Sequence, residues 1–275
     1  MKKLLIAGVA AAALCGAPAL AADMAVKAPP QPPAPVAGWT GFYVGGEIGA
    51  QWDNSRWNTT CIAGFAACPL NGVFPGFLAN NNPAAFNSTG FRGGLFAGYD
   101  LQVSPQWVIG VEGDFGGGSN NRTIAGIPGT LGGGLAPNLA DQSSVKGTWD
   151  ASAVGRVGYL ITPTVMVFGV GGLSWLHEEA SASCAPAPAV SWCVIPADQG
   201  TTQMTSSTRS GWTAGGGFEY MVLPNWLVRG EYRYADYGSF GSTFFAANPV
   251  DAVIFNVHTR VSTAQFGVAY KFGGH

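Results

Sequence analysis

Residues Leu223 to Gly238, LPNWLVRGEYRYADYG, alternate strictly in character. Trp226, Val228, Gly230, Tyr232 and Tyr234 share one parity, and Leu227, Arg229, Glu231 and Arg233 share the other. A β-strand sends successive side chains to opposite faces, so this stretch is a strand with one apolar face and one charged face. The pattern recurs. WTGFYVGGEIGAQW sets Phe42, Val44, Ile48 and Trp52 against Tyr43, Glu47 and Gln51. GFRGGLFAGYDL sets Phe91, Leu95, Tyr99 and Leu101 against Arg92, Gly94, Phe96 and Asp100. WVIGVEGDF, WDASAVGRVGY, GWTAGGGFEY and TAQFGVAYKF divide in the same way, while VMVFGVGGLSW is apolar on both parities and leaves its facing open. Eight strands result.

Their connections alternate in length. VSPQ, ITPT and VLPN join strands two and three, four and five, and six and seven, and each carries a proline (Pro105, Pro163, Pro224) that suits a tight turn better than a ladder position. The other connections, roughly 53–89, 117–147, 176–207 and 238–256, are long and rich in Gly, Asn, Ser, Thr and Ala.

Composition decides which face is inside. Only 10% of the 275 residues are charged, against about 25% in an ordinary soluble domain, and the mean hydropathy is positive. No stretch after the N-terminus approaches the ~18 consecutive apolar residues of a spanning helix. The aromatic residues fall at the strand ends. Trp39, Phe42, Tyr99, Trp107, Tyr159, Tyr220, Trp226, Tyr270 and Phe272 gather at the short-turn rim. Trp52, Phe91, Phe115, Trp149, Trp175, Trp212 and Tyr234 gather at the long-loop rim. Trp and Tyr favour a membrane interface, where the ring is apolar and its N–H or O–H reaches water. The expected fold is therefore all-β: an eight-stranded antiparallel up-and-down transmembrane β-barrel with short periplasmic turns and long extracellular loops.

The charged face then lines the interior: Glu47, Arg92, Glu112, Asp114, Asp150, Arg156, Glu219, Arg229, Glu231, Arg233 and Lys271, six acids and five bases. Eight strands leave barely enough room for side chains, and confined charges must pair. A polar plug is the favoured reading, and a narrow ion path the alternative. Inward glycines, among them Gly94 and Gly98, would make room for long arginines.

The N-terminus MKKLLIAGVAAAALCGAPALAADM reads as a signal peptide, residues 1–21, with Ala19-Leu20-Ala21 as the cleavage site and Ala22 as the close alternative. Leu14 stands where a lipoprotein signal before Cys15 would need a small residue. Removing Lys2 and Lys3 leaves 11 basic residues against 15 acidic ones, which points away from nucleic acid. Residues 22–38 form a proline-rich periplasmic lead, 39–272 the barrel, and 273–275 a short extension. In an exported chain, Cys61, Cys68, Cys184 and Cys193 are expected in disulfides closing local loops, with connectivity left open.

The start ADMAVKAPPQPPAPVAGWTGFYVGG, the strands GLFAGYDLQ, WVIGVEGDF and GRVGYL, then GWTAGGGFEY, WLVRGEYRYADYG and the ending FGVAYKF resemble the small outer-membrane β-barrel family of alphaproteobacteria. Its members are labelled porin-family or outer-membrane immunogenic proteins and share a fold class with the OmpA membrane domain. The resemblance implies an abundant, surface-exposed envelope protein, integral to the outer membrane of a Gram-negative bacterium and without a cofactor. Its partners would be outer-membrane lipid, lipopolysaccharide and the barrel-assembly machinery, and it could form a homo-oligomer. It also admits limited pore activity or haemin or host-ligand binding by loop aromatics such as Trp57, Phe65, Phe74, Phe77, Phe86, Trp192, Phe244 and Phe245. Catalysis is not expected: His258 shares a strand face with Ser262, but no acid is recognisably placed to complete a triad. His177, followed by Glu178 and Glu179, sits where any loop carries charge.

Overall fold

The computed structural model describes residues 38–62, 78–133, 136–187, 189, 191–248 and 250–273. The signal sequence, the lead up to residue 37, Cys68, Phe65, Phe74, Phe77 and the last two residues lie outside the described residues.

The described residues form ten strands: β1 Gly41–Ile62, β2 Ala84–Gln102, β3 Trp107–Ala125, β4 Leu131–Gly133, β5 Ala136–Pro137, β6 Gln142–Thr162, β7 Val165–Ser183, β8 Thr202–Leu223, β9 Trp226–Phe244 and β10 Val253–Phe272. Eight of them close an antiparallel barrel in the order β1-β10-β9-β8-β7-β6-β3-β2, and β4 and β5 pair with each other within the β3–β6 connection. The first and last strands seal the ring, with Phe42 opposite Phe272 and Ala50 opposite Ala264. At membrane level this closure leaves no free sheet edge, as a barrel in lipid requires.

The parity read from sequence sets the faces. Phe42, Val44, Ile48 and Trp52 of β1 are exposed on the outside, and Tyr43, Glu47 and Gln51 are buried within. β7, whose facing was open, sends Met166, Phe168 and Val170 inward and Val167 and Leu173 outward. The turns between β2 and β3, β6 and β7, and β8 and β9 are the tight proline links; Asn225 secures the last by donating to the Lys271 carbonyl at 2.8 Å. From Phe42 to Trp52 a strand rises about 33 Å along its own axis. Tilted by ~40°, it covers the ~25 Å apolar band of such barrels.

Two expectations are corrected. The long connections are strand at both ends: β1 runs on to Ile62 and β10 begins at Val253, so the barrel wall continues well past the outer aromatic ring. There the sense of the alternation reverses. Asn54 and Arg56 face out, while Trp57, Phe255 and Val257 face in and are fully buried. Beyond the hydrocarbon the outside meets water, so apolar side chains turn inward to the ordinary kind of core. That core unites Trp57, Ile62, Phe86, Val145, Phe244, Phe245, Phe255 and Val257.

The second correction concerns Trp39. It precedes β1, so strand parity does not govern it, and instead of facing lipid it is 1% exposed. Its indole N–H donates to the Pro163 carbonyl at 3.0 Å, and it joins Tyr43, Phe96, Leu160, Met166 and Leu227 in the cluster at the periplasmic end. An indole with one satisfied donor closes an apolar mouth well.

Candidate functional site

Four arginines cross the lumen at membrane level. Arg92, projecting from β2, reaches Glu47 at 2.7 Å, Asp150 at 2.6 Å and Asp114 at 3.0 Å. Arg229 of β9 binds Glu112 at 2.6 Å, Glu47 at 2.9 Å and Glu231 at 3.1 Å, and its guanidinium lies 3.6 Å from the centre of the Phe96 ring. Arg233 binds Glu231 at 2.6 Å and also Asp114. Arg156 of β6 reaches Glu219 at 3.0 Å, Glu112 at 3.4 Å and the Tyr43 hydroxyl at 2.7 Å. Glu47, Glu112, Asp114 and Glu231 each serve two or more arginines, so the network is continuous from wall to wall. The fork of a guanidinium suits such sharing. Small residues leave the space: a Cβ at Gly116 would stand 2.7 Å from Arg92 Nη2.

Lys271 also points inward, but its ammonium donates to the Gly38 carbonyl at the periplasmic mouth instead of pairing with a carboxylate among the described residues. The lumen further buries Asp53, Asp100, Glu178 and Arg209. Asp100 had the inward parity; Glu178 lay in a stretch read as loop, and Arg209 just before the strand GWTAGGGFEY. Glu178 and Arg209 form an ion pair above the main network, and Thr259 donates to Glu178 at 2.9 Å. With these residues the lumen holds nine carboxylates and six cations among the described residues, so it is acidic and not nearly balanced as the sequence suggested. Between the two layers lies a cavity of about 20 Å³, bordered by Arg92, Asp150, Ser174, Thr213 and Tyr237, room for about one ordered water.

On the outer wall, Phe42, Tyr99, Trp107, Tyr159, Tyr220, Trp226, Tyr270 and Phe272 make the lower ring. Neighbours touch: Trp107 and Tyr159 lie 5.2 Å apart and Trp226 and Tyr270 5.3 Å. Trp52, Phe91, Phe115, Trp149, Trp175, Trp212 and Tyr234 make the upper ring, where Phe115 stacks on Trp149 and Trp212 contacts Tyr234.

Above this ring the extracellular lobe is tied down by carboxylates. Cys184 and Cys193 form a disulfide, and Cys61 is also disulfide-bonded. Asp141 accepts hydrogen bonds from the Ala185 amide (2.8 Å), the Ser191 hydroxyl (2.6 Å) and the Trp192 amide (2.8 Å). Asp251 accepts from the Val194 and Ile195 amides, both at 3.0 Å; burial nevertheless holds its carboxyl above the usual carboxylate range. Asp141→Ala would strand three donors, at a cost of about 1–3 kcal/mol each where they stay dry. The 184–201 loop of this variant is expected to become protease-sensitive while the barrel stays folded; unchanged cleavage kinetics would contradict this role.

The aromatic surface that suggested a flat ligand is largely absent at the described positions. Trp57 stacks on Phe255 with ring centres 4.1 Å apart and is flanked by Phe86 and Phe244. Phe245 is buried too, and Trp192 packs partly buried against the same core. These faces cover one another.

His258 and Ser262 do not act together, because Ser262 is opposite Trp52 and Tyr234. The structure instead lines up Ser239, His258 and Asp236 on the outer wall. Ser239 Oγ lies 3.1 Å from His258 Nδ1, and His258 Nε2 lies 3.3 Å from Asp236. A register shift in β10 and Gly238, at φ 64°, bring these residues across from one another. No sequence signal marked Ser239 or Asp236, since the pairing depends on that irregularity. Asp236 also accepts from the Gly238 amide at 2.9 Å and from Arg260 Nε at 3.1 Å. Burial raises its carboxyl, but these bonds outweigh it and leave the group below the usual range. A carboxylate already neutralised by Arg260 is a weak partner for an imidazolium, so the row has the elements of a triad without the electrostatics of one.

A family model described as "Outer membrane protein beta-barrel domain" matches residues 7–272. The chain is 29% identical to the 31 kDa outer-membrane immunogenic protein of Brucella melitensis biotype 1, over 99% of this chain and all of that one. It is 30% identical to a 22 kDa outer membrane protein of Rhizobium leguminosarum bv. viciae over 61% of this chain and 64% of the relative. Among solved structures it is similar to the outer membrane protein OprG from Pseudomonas aeruginosa, with a TM-score of 0.49, 12% identity, and coverage of 86% of this chain and 99% of that chain. The chain belongs to the outer-membrane protein β-barrel domain family, and it is an outer-membrane protein.

Proposed function

We propose that the protein is a closed structural barrel of the envelope: its lumen is plugged at membrane level, and its outer lobe forms a compact surface feature. The observation that carries this reading is the arginine network, in which each of Arg92, Arg156, Arg229 and Arg233 binds three or more carboxylates across the full width of the lumen. Water would have to break several charge-assisted bonds to pass. The relatives named outer-membrane immunogenic proteins support a surface-exposed role for the lobe. Lipid contacts the outward band, lipopolysaccharide surrounds the outer rim, and the barrel-assembly machinery reads the closing strand β10. Catalysis forms no part of this role.

A second reading is favoured by one observation. The excess of carboxylates over cations in the lumen would make any leak cation-selective. Planar-bilayer recording on refolded protein separates the two. Wild type is expected to show rare, small conductance steps with a preference for cations. Sustained large conductance, as in barrels of about twice the strand number, would overturn the plug.

A further inference from the structure

We propose that Arg56 and Arg260 form a binding site for the phosphate of a phosphorylated glycolipid in the outer leaflet, a deeper reading that rests on the barrel's placement in the outer membrane. The first observation is where the cations lie. Among the described residues there are ten lysines and arginines, and six of them point into the lumen. Four remain outside: Arg56, Arg122, Lys146 and Arg260. They fall into two pairs on adjacent strands, Arg122 with Lys146 on β3 and β6 and Arg56 with Arg260 on β1 and β10; in the second pair a carboxylate also fixes one guanidinium.

The second observation is depth. Trp52, Ser262 and Tyr234 pair across β1, β10 and β9 at the upper aromatic ring. Two residues further on, Asn54 pairs with Arg260, and two beyond that Arg56 pairs with His258. At about 3.3 Å per residue, these rows sit just past the acyl boundary, at headgroup level.

The third is geometry. Arg56 and Arg260 are diagonal neighbours across the β1–β10 ladder, a spacing of roughly 7–8 Å that long side chains bridge. Asp236 offsets one of the two positive charges, so the pair keeps a net positive charge on the outer wall. Arg260 is 55% exposed and gives its Nε edge to Asp236. That bond fixes the guanidinium while its two terminal amino groups make no ion pair among the described residues. Arg56 is exposed and makes no ion pair among them either. Two guanidinium forks, one of them held in place, suit a phosphate.

The test uses the full chain folded in detergent and titrated with bisphosphorylated lipid A, with binding read by native mass spectrometry. Heat-modifiable gel migration checks the fold of each sample. The double variant Arg56→Ala/Arg260→Ala is expected to bind at least ~10-fold more weakly than wild type. Lys146→Ala, at similar height on the far wall, is expected to bind like wild type. Arg56→Gln, at a position without an ion pair, should fold normally and lose part of the affinity, so the test survives if the double variant misfolds. Affinity equal in wild type and either arginine variant would overturn the site. So would equal binding of acyl-matched, dephosphorylated lipid. Full competition by millimolar inorganic phosphate would replace the lipid headgroup by a free anion and overturn the glycolipid. A wild type lacking heat-modifiable migration would instead count against the barrel reading itself.

Discussion

Arg229→Ala should lower the stability of the barrel by about 3–5 kcal/mol, the cost of removing one partner from a buried ionic network. The truncation strips Glu112 of its 2.6 Å bond and Glu47 of its 2.9 Å bond, and uncovers the face of Phe96. Both carboxylates stay behind in a lumen that already holds more acid than base. The measurement is the urea midpoint of folding into lipid, compared with a surface change such as Lys146→Ala. Replacing Glu112 by Gln in the same chain should recover part of the loss, because the two residues share one network and their effects do not add. Equal midpoints for Arg229→Ala and the surface variant would show that the network does not hold the barrel together.

Trp57→Ala is expected to cost a similar amount, about 3–5 kcal/mol, in a different place. Trp57 is completely buried, stacked between Phe86, Phe244 and Phe255. From sequence alone, it belonged to a loop. The two variants should differ in reach: Trp57→Ala should speed hydrogen exchange and proteolysis in the lobe while the membrane-level strands stay protected. Arg229→Ala should loosen the barrel as a whole. If Trp57→Ala left lobe exchange unchanged, the stacked aromatics would not be its core.

The membrane half of the fold was legible because lipid imposes one rule on every strand. Ile48, Leu95, Val111 and Phe266 had to face out and Glu47, Arg92, Glu112 and Arg229 had to face in, so parity alone assigned them. The upper half was obscure for the same reason. From Trp57 onward the apolar side becomes the inner side, and the stretch 53–62 reads as irregular polar loop. Trp39 was misplaced because it lies outside any strand. The acid excess of the lumen was missed because Glu178 is carried by that upper half of β7. Asp53 and Asp100 stand near strand positions where parity was visible but the end of the membrane was not. The row Ser239–His258–Asp236 depended on a local break in register, which no periodicity announces.

The reversal of alternation along β1 and β10 has a mechanical consequence. A barrel that is greasy outside below Trp52 and polar outside above it has one immersion depth. Sinking by a single row would drag Asn54 and Arg260 among acyl tails, where an arginine costs up to ~2–4 kcal/mol toward the midplane. Rising would lift Phe42 and Phe272 out of their interface. The wall is graduated like a float: it keeps the lobe at a constant height over the cell surface, and any thinning of the bilayer must bend the lipid and not the protein.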